Sequence, residues 1–330
     1  MLLGGSGVFG SAIAEALRQR GFDPQTPSHI QLDIENSHAL LSSLRARDVV
    51  IDAAGPFHQR TTALLEVATE VGFDVIDLSD NLGYALAVHA MDERFKAAGI
   101  RVFTSCSAVS TVTAATVVNS GVRAPARVSV CLLPASRDTS SSGTAASLLH
   151  SLSHPIRTLR DGRLAATAAW SRSRTFRVPA RGGEVRGYLV ESADAATLPR
   201  IWPGLRDVDF WVDTQAFGMN RLIAGAVRLP AGGEVLERLA PVGLRLARLT
   251  GSRAGGYVVE VEGSDGRVVT TALAAQHHSY LAAVVPATLA ASSLAAGDAP
   301  APGVVPADRH CHPDELFAEL RKLGIEMHQQ

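Results

Sequence analysis

The chain has 330 residues, 46% hydrophobic and 19% charged, with 31 Lys and Arg against 32 Asp and Glu for a formal net charge of −1. That length holds one large or two modest domains around a proper core, and the near-neutral balance argues against nucleic acid or an acidic membrane surface as partner. The three cysteines (Cys106, Cys131, Cys311) are widely spaced and odd in number, which excludes a disulfide framework and fits a reducing cytoplasm.

The first third alternates strand and helix. Met1–Leu3 is a strand stub, and Val8–Arg20 a helix with Ile13, Ala16 and Leu17 on one face. No basic residue precedes Arg18, so no secretory signal is expected. FDPQTPS, with Pro24 and Pro27, cannot be a central strand. HIQLDI from His29 reads as a strand, followed by a helix near Ser37–Arg45. DVVIDAAG from Asp48 is a buried strand, Thr61–Val71 a helix, FDVIDLS from Phe73 a strand, Gly83–Ala98 a helix and IRVFTS from Ile100 a strand. Near-continuous apolar strands between amphipathic helices predict a parallel sheet covered on both faces.

From about Ala126 the character changes. RVSVCLLP is a strand, DTSSSGTAASLLHSL a serine-rich turn entering a helix, and Ala165–Val190 reads as strands with Arg-rich joints. DVDFWVDTQ is another strand. GGYVVEVEGSDGRVVTTALAA is the clearest hairpin, two alternating runs joined at Gly263-Ser264-Asp265-Gly266. The apolar stretch from Leu281 carries a proline and two serines and falls short of the roughly 20 residues of a membrane span, so it reads as a buried helix. A Pro/Gly/Ala connector and a last helix, PDELFAELRKLG, follow. The two closing helices have no sheet of their own and are expected on the first domain's flank.

GGSGVFG contains Gly5-x-Gly7-x-x-Gly10 between a strand and a helix. In a dinucleotide fold the first glycine allows the tight turn, the second lets backbone approach a pyrophosphate and the third lets helix pack on strand. With Ser6, Val8 and Phe9 these residues are the candidate phosphate cradle at a helix N-terminus. The alternative is a glycine turn kept for packing alone. Asp33, 23 residues beyond Gly10, is the candidate ribose acceptor; it equally fits a helix cap, if one β–α unit has been deleted.

Further along, Gly55-Pro56-Phe57 ends a buried strand at the carboxyl edge, where open α/β sheets place their ligands. Beside it His58 is either an acid/base or a capping, solvated side chain. Asp80 either orients an amine and donates a proton, if burial raises its pKa, or caps the next helix. Cys106 reads as a small core residue. Thr139–Thr144, with Arg137, offers a substrate carboxylate the hydroxyls of Ser142 and Thr144 and a guanidinium; plain capping accounts for these hydroxyls as well. His277-His278 and His310-Cys311-His312 lack a second spaced pair for a tetrahedral metal set, so no metal is expected and the latter reads as a surface tail. Trp170, Trp202 and Trp211 read as core or pocket walls.

The run DVVIDAAGPFHQRTTALLEVATEVGFDVIDLSDN resembles the saccharopine dehydrogenase NADP-binding domain family, in its Gly55-Pro56-Phe57 turn and its Asp77-Leu78-Ser79-Asp80 strand end. SSGTAASLLHSLSHPIRTLRDGR, the closing hairpin, the Ala-rich helix and PDELFAELRKLG resemble that group more loosely. The resemblance implies a Rossmann-like α/β domain, here 1–124 and 275–330 and short of one β–α unit, with an inserted α+β domain at 125–274 for substrate and dimer contacts. It implies an NAD(P)-dependent oxidoreductase moving hydride to or from a C–N bond of a small amino-acid-derived substrate, in a cytoplasmic homodimer. The absent unit is the one that reads the adenosine 2′ position. With Asp33 and Glu35 acidic and no Arg or Lys between Gly21 and Arg45, NAD is expected over NADP. A non-catalytic Rossmann-like binding or assembly protein and an enoyl-type reductase are the alternatives.

Overall fold

Apolar runs too short to be helices and too continuous to have a solvent face must be buried on both sides. The structure, a computed structural model, describes residues 1–140, 142–179, 183–229 and 232–330, with backbone alone at 142–145, 233 and 237. In chain order the first elements are β1 (Leu2–Leu3), α1 (Val8–Gln19), α2 (Ser37–Ser43), β2 (Val49–Asp52), α3 (Ala63–Val71), β3 (Asp74–Asp77), α4 (Leu82–Ala90), α5 (Asp92–Ala98), β4 (Arg101–Phe103) and α6 (Thr111–Asn119). Then come β5 (Pro125–Leu133), α7 (Ser136–Thr139), α8 (Ser142–Ser153), β6 (Pro155–Arg160), β7 (Arg163–Ala168), β8 (Ser173–Val178) and β9 (Gly183–Val190). The rest are α9 (Asp194–Ile201), β10 (Asp207–Val212), α10 (Met219–Ala226), α11 (Gly232–Thr250), β11 (Gly255–Gly263), β12 (Val268–Ala275), α12 (Val285–Ala295), β13 (Gly303–Val304), α13 (Pro313–Lys322) and β14 (Glu326–Gln329). Two compact units result: Met1–Ala115 with Leu281–Leu316, and Thr116–Tyr280 with Phe317–Gln330.

The first unit holds a parallel sheet in the order β1-β2-β3-β4-β13. Its side chains alternate with period two. Leu3, Val50, Val75 and Val102 face a core with Leu40, Leu64, Leu65 and Phe95. Leu2, Ile51, Ile76 and Phe103 face another with Ile13, Leu17, Ala287 and Ala290. Both faces are covered, as parallel sheets require, and the fold is Rossmann-like α/β.

Three corrections follow. HIQLDI is not a strand: Leu32 alone is buried there, and Ile30 is 85% exposed. Local bonds hold the segment as turns, from Ser28 N to Gln31 Oε1 (2.8 Å) and from Glu35 N to Asp33 Oδ1 (3.0 Å). FDPQTPS makes only one such contact to β1, from Leu2 N to Gln25 O (2.8 Å), so β1 is the sheet's edge. Second, the connector carries β13, which extends the sheet beyond β4. Third, the chain's end does not stay with the first unit: β14 pairs antiparallel with β12 in the second unit's sheet.

Among the described residues that sheet has nine strands, with β14-β12-β11-β5-β10-β6-β7 in line and β8–β9 paired beside β10. The β11–β12 hairpin runs in register from Gly255↔Ala275 to Glu262↔Val268. Its core includes Phe176, Leu189, Trp211 and Val258, and Trp170 stacks on Tyr188 with ring centroids 5.1 Å apart.

Candidate functional site

The carboxyl ends of β1 to β4 form one edge of the first unit's sheet. At β1 the chain must turn into α1 within a few residues. Gly4 has φ +76°, and a Cβ there would sit 2.6 Å from the Ala53 carbonyl; one on Gly10 would sit 2.1 Å from Gly4 O. These two glycines interlock turn, strand and helix. Gly7 differs: its added Cβ would meet only Gly4 O, at 3.3 Å. Gly7 is the N-cap of α1, is exposed, and supplies no side-chain cap. Packing thus requires glycine at Gly4 and Gly10 and leaves Gly7 open. Gly5, given the turn role from sequence, lies against Thr26 instead, whose Cβ would be 2.8 Å from an added Cβ. The Gly4-Gly5 doublet made both positions readable. Ser6 is exposed beside Gly7, while Val8 and Phe9 are half-buried on the first helical turn.

At the end of β2 a cis Gly55–Pro56 peptide leads to a short 3-10 turn, Phe57–Gln59. Gly55 is exposed. Phe57 is buried, with its ring 5.3 Å from that of Tyr84. His58 is half-buried on the turn and Asp80 is exposed. Asp80 does not cap α4; Asn81 does, accepting from Tyr84 N at 2.8 Å. The burial that would make Asp80 a proton donor is found three residues earlier.

That residue is Asp77, fully buried at the end of β3 and in register with the equally buried Asp52 at the end of β2. Asp77 Oδ1 accepts from Ser79 N (3.0 Å) and Ser105 N (2.8 Å). Its main-chain oxygen takes Cys106 N at 2.7 Å, so one residue ties β3 to the loop after β4. Burial pushes its carboxyl up to about 7, against the pull of those two N–H groups. Asp52 is likewise raised by burial, which the facing Arg60 opposes. Arg60 Nη1 lies 3.2 Å from Asp52 Oδ2 and donates to Ala54 O at 2.9 Å; its Nε lies 2.5 Å from Glu35 Oε1. Thr61 Oγ1 also donates to Glu35. Burial works against the Glu35 carboxylate, yet the bonds from Thr61 and Arg60 hold its pKa below the usual value. The Tyr84 hydroxyl is buried among these charges with no hydrogen-bond partner among the described residues, and burial raises its pKa well above the usual value.

Asp52 and Arg60 were not singled out from sequence; Asp77 was noted only as the start of the Asp77-Leu78-Ser79-Asp80 strand end, and Glu35 only as an acid beside Asp33. The signal was present: VVID and DVID are apolar strands that both end in an acid, and a buried carboxylate demands partners. The loop after β4 carries Ser105 and Ser110 at φ +56° and +66°, conformations non-glycine residues adopt under constraint. Cys106 within it is buried and its thiol is pushed far up, chiefly by burial, which leaves it protonated and inert.

Asp33 is exposed, its carboxylate closing a local turn, and Asn36 rather than Asp33 caps α2. Arg137, in the second unit, donates to Arg248 O and Leu249 O, the last carbonyls of α11. The side chains of Ser142 and Thr144 lie outside the described residues. His310 is not a surface tail: it is buried, bonded to Thr111 Oγ1 (2.7 Å) and Val305 O (3.0 Å), and burial lowers its pKa to about 4. Among the described residues no three His, Cys, Asp or Glu side chains are grouped to hold a metal, and no helix is long and apolar enough to cross a membrane.

No family model and no curated protein matches the sequence. Among solved structures, apo saccharopine dehydrogenase (L-Glu forming) from Saccharomyces cerevisiae matches 100% of this chain and 98% of its own, with TM-score 0.61 and 15% identity. The WlbA (WbpB) dehydrogenase from Thermus thermophilus, in complex with NAD and α-ketoglutarate, matches 98% of this chain and 95% of its own at 13% identity, with a TM-score of only 0.38. The chain shares the fold of the Saccharomyces cerevisiae saccharopine dehydrogenase across its whole length.

Proposed function

We propose that the chain is an oxidoreductase using a nicotinamide dinucleotide, preferentially NAD(H), with its pyrophosphate on the Gly4–Gly10 turn. The observation that carries this reading is the contrast among the glycines. Gly4 and Gly10 are spent on packing, whereas Gly7 leaves an uncapped helix N-terminus open to solvent, and such an end attracts phosphate through its N–H groups and dipole. The residues present fit the pyrophosphate. The adenosine end is held more sparsely, because β1 is an edge strand.

Bound nicotinamide supplies or accepts hydride. The chain's own residues bind and orient. Gly55, Pro56 and Phe57 border the edge beside the glycine turn, with Phe57 anchored on Tyr84. Asp77 fixes the loop after β4, the constrained segment on the same edge. His58 and Asp80 are the proposed proton-handling groups, each at the carboxyl end of its strand. Asp33 is exposed and, besides accepting from Glu35 N, offers its carboxylate to a ribose hydroxyl, and no Arg or Lys stands between Gly21 and Arg45 to pair a 2′-phosphate. The C–N substrate rests on the family resemblance alone. Arg137, tied to the α11 carbonyls, is not among the groups proposed to hold it.

Titration of NADH and NADPH by quenching of protein fluorescence tests the reading. NADH is expected to saturate one site per chain and to bind roughly 5- to 150-fold more tightly than NADPH, matching about 1–3 kcal/mol for an unpaired phosphate charge. Tighter NADPH binding overturns the preference, and binding of neither overturns the function in favour of a non-catalytic protein.

A further inference from the structure

The near-neutral total charge conceals an uneven distribution. Between Phe217 and Arg253 the sequence holds six Arg, two Glu and no Lys or Asp, a local charge of +4 in a chain of net −1. The same segment carries the densest exposed apolar surface of the described residues. On α11, Val235, Leu239, Val242, Leu246 and Leu249 are all exposed, Val242 by 63% and Leu249 by 72%. Their spacing of four, three, four and three places them on one stripe of the helix. An adjoining face, about 100° round the helix, is turned inward at Leu236. Before α11, Phe217 is 94% exposed and Leu222 and Leu229 are exposed as well. An isolated exposed leucine needs no account, but a continuous stripe does.

Arg238 and Arg245 border the stripe along one side at 3.6 residues per turn, and both are exposed. This charge pattern selects the occupant. A two-fold pairing of α11 with itself, centred on Val242, would set Arg238 of one copy beside Arg245 of the other, and like charges at such a flank destabilise the pair. An anionic lipid surface meets the same pattern favourably: aliphatic side chains enter the acyl boundary while arginines stay at the headgroups. The helix is amphipathic and does not span.

We infer that α10 and α11 form a membrane-docking surface, with α11 lying in the plane of an anionic bilayer, the stripe of Val235, Leu239, Val242, Leu246 and Leu249 inward and Arg238 and Arg245 on the phosphates. This refines the expectation from total charge, which averages over the basic patch and the acidic remainder. The inference is independent of nucleotide binding.

Co-sedimentation of the full chain with vesicles of equimolar phosphatidylglycerol and phosphatidylcholine, against vesicles of phosphatidylcholine alone, tests it. Binding is expected only to the anionic vesicles and is expected to weaken with added salt. Each of R238Q and R245Q should weaken it about fivefold. The V242D/L246D double variant should weaken it by more than tenfold, with far-UV circular dichroism and thermal midpoint unchanged because both side chains are exposed. Absence of binding, or equal binding to both vesicle types, overturns the inference. So does a two-chain mass by light scattering that V242D/L246D reduces to one, which would make the stripe a self-association surface.

Discussion

Two stretches of the same sheet edge are built on opposite principles. At β1 the edge is made of backbone: glycines interlock at Gly4 and Gly10 and leave the N-cap at Gly7 bare. At β2 and β3 the edge is made of buried charge, with Asp52 and Asp77 in register and fully enclosed. The first arrangement leaves hydrogen-bonding capacity for something else. The second turns its charges on one another, because an enclosed carboxylate is tolerated only when paired or protonated, and it still leaves Asp77 Oδ2, Arg60 Nη2 and the Tyr84 hydroxyl without a hydrogen-bond partner among the described residues. The proposed binding site falls at the bare end, while at the filled end Asp77 holds the loop after β4.

Breaking the filled end should cost the most. Arg60→Ala leaves Asp52 buried without its cation, holding only the bond from Ala54 N, and is expected to destabilise by about 3–5 kcal/mol, read by urea unfolding. Arg60→Met combined with Asp52→Leu removes both charges and should recover most of that loss. A double variant no better than Arg60→Ala would show that Asp52 was not the source of the cost.

Next in size is a pH effect at Asp77. Its folded pKa near 7 lies above the ordinary carboxylate value of 3.8. Between those values the folded state holds a proton that the unfolded state has released. Stability is therefore greatest below about pH 4 with respect to this group and falls as pH rises towards 7, by on the order of 2–4 kcal/mol. Asp77→Asn keeps an acceptor for Ser79 N and Ser105 N but cannot ionise. Its unfolding free energy should be flatter over this window and higher than wild type at pH 7. A slope identical to that of the wild type would place the titration elsewhere.

At the bare end, Gly10→Ala sharpens the comparison. Its Cβ would lie 2.1 Å from Gly4 O, and the forced shift should cost about 1–3 kcal/mol. Gly7→Ala, with φ already −75° at that position, should change stability by no more than about 0.5 kcal/mol. Equal losses at Gly7 and Gly10 would dissolve the distinction between packing and ligand-facing glycines.

Much of this was legible beforehand, and the failures share a cause. β2, β3, β4 and the β11–β12 hairpin were readable because apolar periodicity reports burial directly. HIQLDI has the same alternation but no partner strand, and Ile30 ends up in solvent. Strand pairing is a property of the neighbour as well as of the segment. β13 and β14 are too short to leave a pattern, and Gly303 and Glu326 gain their ladders only from β4 and β12. At the glycine turn, the tight-turn position moved by one, from Gly5 to Gly4, while Gly10 packs helix against strand as read. Asp80 drew notice for standing after the strand, whereas Asp77, inside it, holds the β4 loop. Arg60 could not be matched to Glu35 and Asp52 from sequence, since turns from three parts of the chain bring them together.

The central claim is that the uncapped glycine turn is a pyrophosphate seat, and calorimetric titration of NADH into wild type and Gly7→Ala tests it most directly. The account predicts one saturable site per wild-type chain and affinity weakened tenfold or more in the variant, about 1.4 kcal/mol or above, with unfolding free energy unchanged. NADH binding of equal affinity in both proteins would place the nucleotide elsewhere and contradict it.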